Sequence, residues 1–416
     1  MRTRGMVAVV AAVGMLAAAG GCDPGGLTAQ EVEVVAGAGE NDGGAAADAF
    51  IDGRLVDMIM GADGVLRVLT EEREALTVWS VKDARLTRVA VPAIKADYIS
   101  QATAGPGGDL YLAMWNGNGG VWRVTADGVA VQTVGIDRET YRGDRKPAPD
   151  GAPVAGAYVR YLHGVAVAPD GHLFFAEERI GPVTYQLVRT DENGKLRTVL
   201  GRDLAGLTER QWRSARSSTG FPDGTPARQI ALEGGLNDPL AVAPDGTLYA
   251  APGRRSVVAV RADGTARQVI GNIGGGLDDG VEEADEPFED RGPAARARVN
   301  LAGGGTIRAG ASNASLVVDS TGDLYLTSVN AAFNRLPETF DWTGEVSDTQ
   351  RELLELSKEQ RRGDSEVLRV RPDGSLATVA GHADAAAVDD SWIYLARAFT
   401  DVDGHPRVLV VRTKKG

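Results

Sequence analysis

Cysteine, histidine, aromatic side chains and positive charge are all scarce in this sequence. A single cysteine, Cys22, excludes an intrachain disulfide, a thiolate metal cluster and a thiol nucleophile anywhere beyond that position. Histidine occurs 4 times and aromatics make up 6% of the 416 residues, so imidazole chemistry and ring stacking can rest on few positions. Lys and Arg number 44 against 57 Asp and Glu, and the net charge of -13 argues against nucleic acid or an anionic lipid surface as partner. The apolar run from Met6 to Ala19 stops short of the ~20 residues that a membrane-spanning helix needs. A nucleophile elbow, a phosphate-binding glycine loop and a zinc-binding helix motif are also missing.

Glycine is abundant by contrast, at 54 residues, and its placement organises the chain. Residues 240–271 read LAVAPDGTLYAAPGRRSVVAVRADGTARQVIG: four short alternating or β-branched runs divided by Pro-Asp-Gly, Pro-Gly-Arg-Arg and Ala-Asp-Gly. Glycine takes the positive φ that reverses a twisted ribbon, so this is a four-stranded antiparallel meander. The unit recurs, with second strands marked by Leu66-Arg67, Leu110-Tyr111, Leu173-Phe174, Leu248-Tyr249, Leu324-Tyr325 and Ile393-Tyr394. Third strands follow each pair, near 76–81, 121–124, 185–188, 257–260, 367–370 and 408–411. Fourth strands close five of the units, near 86–91, 129–134, 196–200, 266–270 and 376–380.

The sixth unit lacks a fourth strand, whereas Glu31 to Gly37 reads like the fourth strand Leu376 to Gly381 with no preceding three. Pairing the two ends would leave no bare edge in the array. The expected fold is therefore all-β: a six-bladed β-propeller over residues 31–416 whose N-terminal strand closes the last blade. The phrases Val-Ala-Pro-Asp-Gly, Leu-Tyr and Thr-Val-Ala-Gly resemble NHL repeats, a family that forms such propellers. The connectors at 43–47, 150–153, 223–227 and 292–295 resemble the Asp-Gly-Gly-Pro-Ala segment of some bacterial members. The family's Asp after the second strand is mostly absent, Glu177 being the nearest, and its Asn-His-Arg phrase does not occur.

Residues 1–22 read as a targeting segment: Arg2 and Arg4, then the apolar core, then small residues leading into Cys22. Ala19-Gly20-Gly21-Cys22 resembles the lipobox of bacterial lipoproteins, with Ala19 where that family usually has Leu. The resemblance implies lipidation of Cys22 and a place outside the cytoplasm, on the membrane by its anchor, with cleavage and secretion without lipidation as the alternative. Residues 23–30 then form a tether.

In a meander the turns alternate between two faces. The Pro-Asp-Gly, Ala-Asp-Gly and Pro372-Asp373-Gly374 turns all fall on one face, while the long connections 135–160, 201–237 and 271–313 and the loop 330–364 start from the other. Long insertions in compact domains are commonly functional, so recognition is expected on the inserted face. One short helix is expected within the last insertion, from Ser347 with Gln350 as a capping box, through Leu353, Leu354 and Leu356, to Arg361-Arg362. Candidate ligand-binding residues are Trp115, Asn116, Tyr141, Trp212, Phe340 and Trp342, which either stack on a sugar or peptide or pin their loops.

Propeller enzymes such as lactonases and lyases hold a metal where the innermost strands begin. The corresponding positions are Asp57, Ser100, His163, Asp238 with Asn237, Asn313 and His382; Asp57, Asn237, Asp238 and Asn313 are candidate calcium ligands, and His163 or His382 a candidate base. Two functions are thus open: a monomeric, non-catalytic propeller without a cofactor that binds a protein, peptide or glycan outside the cell, or a calcium-dependent lactonase or lyase.

Overall fold

The computed structural model describes residues 30–39, 44–115, 119–136, 148–159, 161–178, 184–202, 221–233, 238–252, 256–271, 294–296, 315–329, 340–342, 351, 365–381 and 383–415. They form six antiparallel sheets in a ring. The first strands of blades one to six, counted from the axis, are Arg54–Met60, Ile99–Ala104, Leu162–Val167, Leu240–Val242, Leu316–Val318 and Ala385–Val388. Each touches the first strand of both neighbours, and the sixth touches the first.

Blade six is assembled from both ends of the chain. Its strands Ala385–Val388, Trp392–Thr400 and Pro406–Lys414 are followed by Gln30–Ala36, which pairs antiparallel with Pro406–Lys414 at Glu33↔Arg412, Val34↔Val411 and Ala36↔Val410. The Glu33 carboxylate receives the Arg412 guanidinium at 2.8 Å, and that guanidinium lies 4.1 Å from the centre of the Trp392 ring. A segment not anticipated, Phe340–Trp342, adds to the same sheet in parallel, Gln30↔Phe340 to Val32↔Trp342.

Each blade is buried on both faces, which explains why the strands read as near-continuous apolar runs. In the second blade Leu110, Leu112 and Met114 pack towards blade one, and Ala113 towards blade three. Six apolar clusters result, one per interface, with the sixth uniting Tyr394, Val408 and Val410 with Met58, Val68 and Trp79 of blade one. At about 1.5–3 kcal/mol per buried large aliphatic side chain, stability resides between blades.

The turn glycines behave as the sequence requires. Gly64, Gly108, Gly171, Gly246 and Gly322 have φ between 70° and 87°, each donating its amide three residues back, as in a type I turn followed by a left-handed residue. Blade one differs: its two remaining turns place Arg73 (φ 52°), Glu74 (70°), Asp83 (49°) and Ala84 (57°) in that region without glycine.

The connector phrases do not stay over one face. Gly44–Ala45 pairs with Arg85 and Leu86, Thr225–Pro226 with Thr265 and Ala266, and Pro153 bridges Lys195. Each thus lies at the rim, against the turn end of the following blade's fourth strand. Ala46 and Ala227, both fully buried at the start of a single 3-10 turn, then wedge between blades. Phe340–Trp342 is likewise at the rim, so the long insertions depart from one face but return along the edge. Of the expected helix at 347–362 only Arg351 is described, and it is helical; the rest lies outside the described residues, as do the signal segment, Cys22 and the tether to residue 29.

A left-handed L-residue costs about 1–2 kcal/mol, of which glycine's greater unfolded-state freedom offsets about 0.5–1. Glu74→Gly and Ala84→Gly should each therefore raise unfolding free energy by about 0.5–1 kcal/mol in urea titration, opposite to the usual effect of glycine in a sheet.

Candidate functional site

Counting back from the turn glycines resolves the heads of the inner strands into two registers. Seven residues before Gly64, Gly108, Gly171 and Gly322 stand Asp57, Gln101, Gly164 and Ser315; one place earlier stand Val56, Ser100 and His163, with Asp238 eight before Gly246. Sequence comparison alone had aligned Asp57 with Ser100 and His163, one residue out of step. Each of the first three inner strands carries a β-bulge at its second-register residue, Val56, Ser100 or His163.

The residues of the first register tie blades together. Asp57 Oδ1 accepts the Met58 amide at 2.8 Å, and Oδ2 accepts the Ala102 amide of blade two at 3.1 Å. Gln101 spans three blades: Oε1 accepts the amides of Val165 and Leu240, each at 2.9 Å, and Nε2 donates to the Leu240 carbonyl at 2.8 Å. Gly164 makes room for this, since a Cβ there would meet the Asp238 carbonyl and Gln101 Oε1. Ser315 Oγ accepts the Ala386 amide of blade six at 3.0 Å. From the second register, Ser100 Oγ donates to the carbonyls of Ala113 and Leu162, at 3.1 and 2.8 Å. Gln101 and Ser315 escaped the sequence reading, though a count from the turn glycine finds both.

A second concentration of polar groups lies where the second-to-third loop of blade three begins. His163, Glu177, Tyr185, Gln186 and Asp238 are 5%, 1%, 2%, 5% and 0% exposed. Leu162, adjoining His163, pairs with Glu177, and Glu177 pairs with Gln186 on the next strand. Gln186 Nε2 donates to the Arg202 carbonyl at 3.1 Å. Burial, then the Asp238 carboxylate, pushes the Tyr185 hydroxyl well above its ordinary range. Burial lowers His163 to about 4, so its imidazole is neutral near pH 7. A neutral imidazole with a carboxylate and a phenol is a set able to move protons.

The other expected residues scatter. Trp115 is half-buried on the inserted face, its Nε1 donating to the Asp97 carbonyl at 3.2 Å and its ring edge-on to Tyr98 at 6.2 Å. Phe221 packs on the cluster between blades three and four. The backbones of Phe340 and Trp342 lie at the rim of blade six, apart from Trp115 in blade two. Asn116, Tyr141, Trp212, Asn237, Asn313 and His382 lie outside the described residues. Asp401, Asp403 and His405 approach one another in the second-to-third loop of blade six, but Asp401 is engaged by the amides of Asp403 and His405 and by Arg407 Nε, as a turn-forming Asp is.

Gln101→Leu should orphan two buried amides and a carbonyl, and lower unfolding free energy by about 3–5 kcal/mol in denaturant titration. Asp57 gives a pH signature. Burial, opposed by the Ala102 and Met58 amides, raises it from 3.8 to about 7, so the folded state keeps a proton that the unfolded chain releases. Its contribution is fully present below the unfolded pKa and is lost as pH rises through about 7. The unfolding free energy of the native protein minus that of Asp57→Asn should fall between about pH 4 and about pH 7 and level off above.

No protein-family model matches this chain, and no curated protein matches it either. Among solved structures it is similar to a Bacteroides thetaiotaomicron protein of unknown function, at 13% identity and TM-score 0.48, over 92% of this chain and 76% of that one. It is also similar to a gluconolactonase-like protein (11%, TM-score 0.42, 94% and 96% covered). A third is the PQQ-bound aldose sugar dehydrogenase of Streptomyces coelicolor (11%, TM-score 0.40, 92% and 98% covered). At such identities and TM-scores these likenesses assign no activity.

Proposed function

We propose that this chain is an exported, lipid-anchored NHL-type propeller that binds an extracellular protein, peptide or glycan through its inserted face. The observation carrying this reading is the use made of the inner-strand heads: Asp57, Ser100, Gln101 and Ser315 spend their polar atoms on backbone groups, largely of neighbouring blades. Residues so engaged hold a rigid platform, and the variable chemistry falls to the loops. The anchor rests on the Ala19-Gly20-Gly21-Cys22 sequence.

The buried set His163, Glu177, Tyr185 and Asp238 favours a second reading, a calcium-dependent lactonase or lyase. Asp238 and Glu177 offer carboxylate oxygens, and His163 a base.

Screening the full chain against arrayed glycans and peptides should yield a ligand whose binding falls at least about tenfold in Tyr141→Ala with Trp212→Ala, at unchanged melting temperature. Stoichiometric calcium that survives dialysis, together with lactone hydrolysis lost in His163→Gln, would replace the binding reading with the catalytic one.

A further inference from the structure

Comparing blades with one another exposes a charge that one of them leaves uncompensated. In four blades the aromatic residue of the second strand faces an arginine on the third: Tyr111↔Arg123, Phe174↔Arg189, Tyr325↔Arg369 and Tyr394↔Arg412. Three of these arginines meet a carboxylate. Arg123 Nε lies 3.6 Å from Asp109, Arg369 Nε 3.8 Å from Asp323, and Arg412 Nη2 2.8 Å from Glu33. In blades two and five the acid is the residue immediately after the turn glycine; in blade three that position is His172. Arg189 is exposed and has no ion pair among the described residues. Its other cross-strand neighbour is Arg197, a like-charge pairing that costs stability unless something offsets it.

Arg189 opens into a cavity of about 570 Å³ between blades three and four, on the side of the Asp-Gly turns, within the size of a small-molecule site. Arg197, Arg228 and Arg261 also line it, held by Asp191 at 2.9 Å, Asp150 at 3.2 Å and Asp223 at 2.8 Å. These pairs fix three guanidinium groups around the unpaired one. Guanidinium forks match carboxylate geometry. Glu192, Asn193, Thr198 and Asp263, also in the lining, supply acceptors and donors suited to hydroxyl groups, so that the ligand's carboxylate is left to Arg189.

We propose that this cleft binds an acidic saccharide, its carboxylate supplying to Arg189 the negative charge that Asp109 and Asp323 supply to Arg123 and Arg369. The cleft opens on the side of the Asp-Gly turns, and the returning ends of the connections 135–160 and 201–237 contribute Asp150, Asp223 and Arg228 to it; the proposal rests on Arg189 and stands whether or not the rest of those connections binds a partner.

The test is calorimetric titration of the full chain with a hexuronate disaccharide, its neutral hexose counterpart and inorganic phosphate. The uronate should bind, with the neutral sugar and phosphate each at least about tenfold weaker. Arg189→Ala should reduce uronate binding at least about tenfold, and its exposed, unpaired side chain makes the substitution tolerable to the fold. His172→Asp should do the same by restoring the missing internal acid. Uronate binding that survives both substitutions, equal binding of the neutral sugar, equal binding of phosphate, or no heat up to about 10 mM uronate would each overturn the proposal.

Discussion

The structure depends on a chain whose two ends share one sheet. Every blade buries both of its faces, so a ring with one interface unmade would leave Tyr394, Val408 and Val410 on one side, and Met58, Val68 and Trp79 on the other, open to water. Closure therefore acts on the ring as a whole. It is secured by the backbone ladder from Glu33 to Ala36, by the Glu33 and Arg412 pair, and by Gly53 and Val408 amides that bond across the seam to Pro406 and Ile51. Lys415 adds a latch on the other side, its Nζ 2.7 Å from the Asp319 carboxylate of blade five, which it and the adjacent turn groups hold below the usual range.

The inner strands of neighbouring blades touch one another around the axis. Short polar groups at strand heads satisfy backbone amides that a purely apolar axis would leave bare. Gln101 serves two of its neighbours because Gly164, at the equivalent place in blade three, has no side chain with which to reach blade four. The buried polar group of blade three, His163, Glu177, Tyr185 and Gln186 with Asp238 of blade four, stands at the junction of the same two blades.

Much of the architecture could be read from residues. The Asp-Gly turns, the Leu-Tyr pairs and the orphan strand at 31–37 located all six blades, because each is a local demand: a positive φ, an alternating apolar run, an unpaired edge. What escaped notice was non-local. The β-bulges at Val56, Ser100 and His163 stand at one equivalent place in three blades, and no residue type announces them. Connector phrases such as Thr225-Pro226-Ala227 look like loops until a neighbouring fourth strand gives them a partner. The significance of Arg189 could have been found early, by asking which blade has His rather than Asp after its turn glycine.

The direction of the Gln30–Ala36 strand has a further meaning. Residue 30 enters blade six where its third-to-fourth turn would otherwise be, beside the point from which Lys415 leaves. The beginning of that strand and the arginine cleft therefore lie on one and the same side of the disc, the side of the Asp-Gly turns.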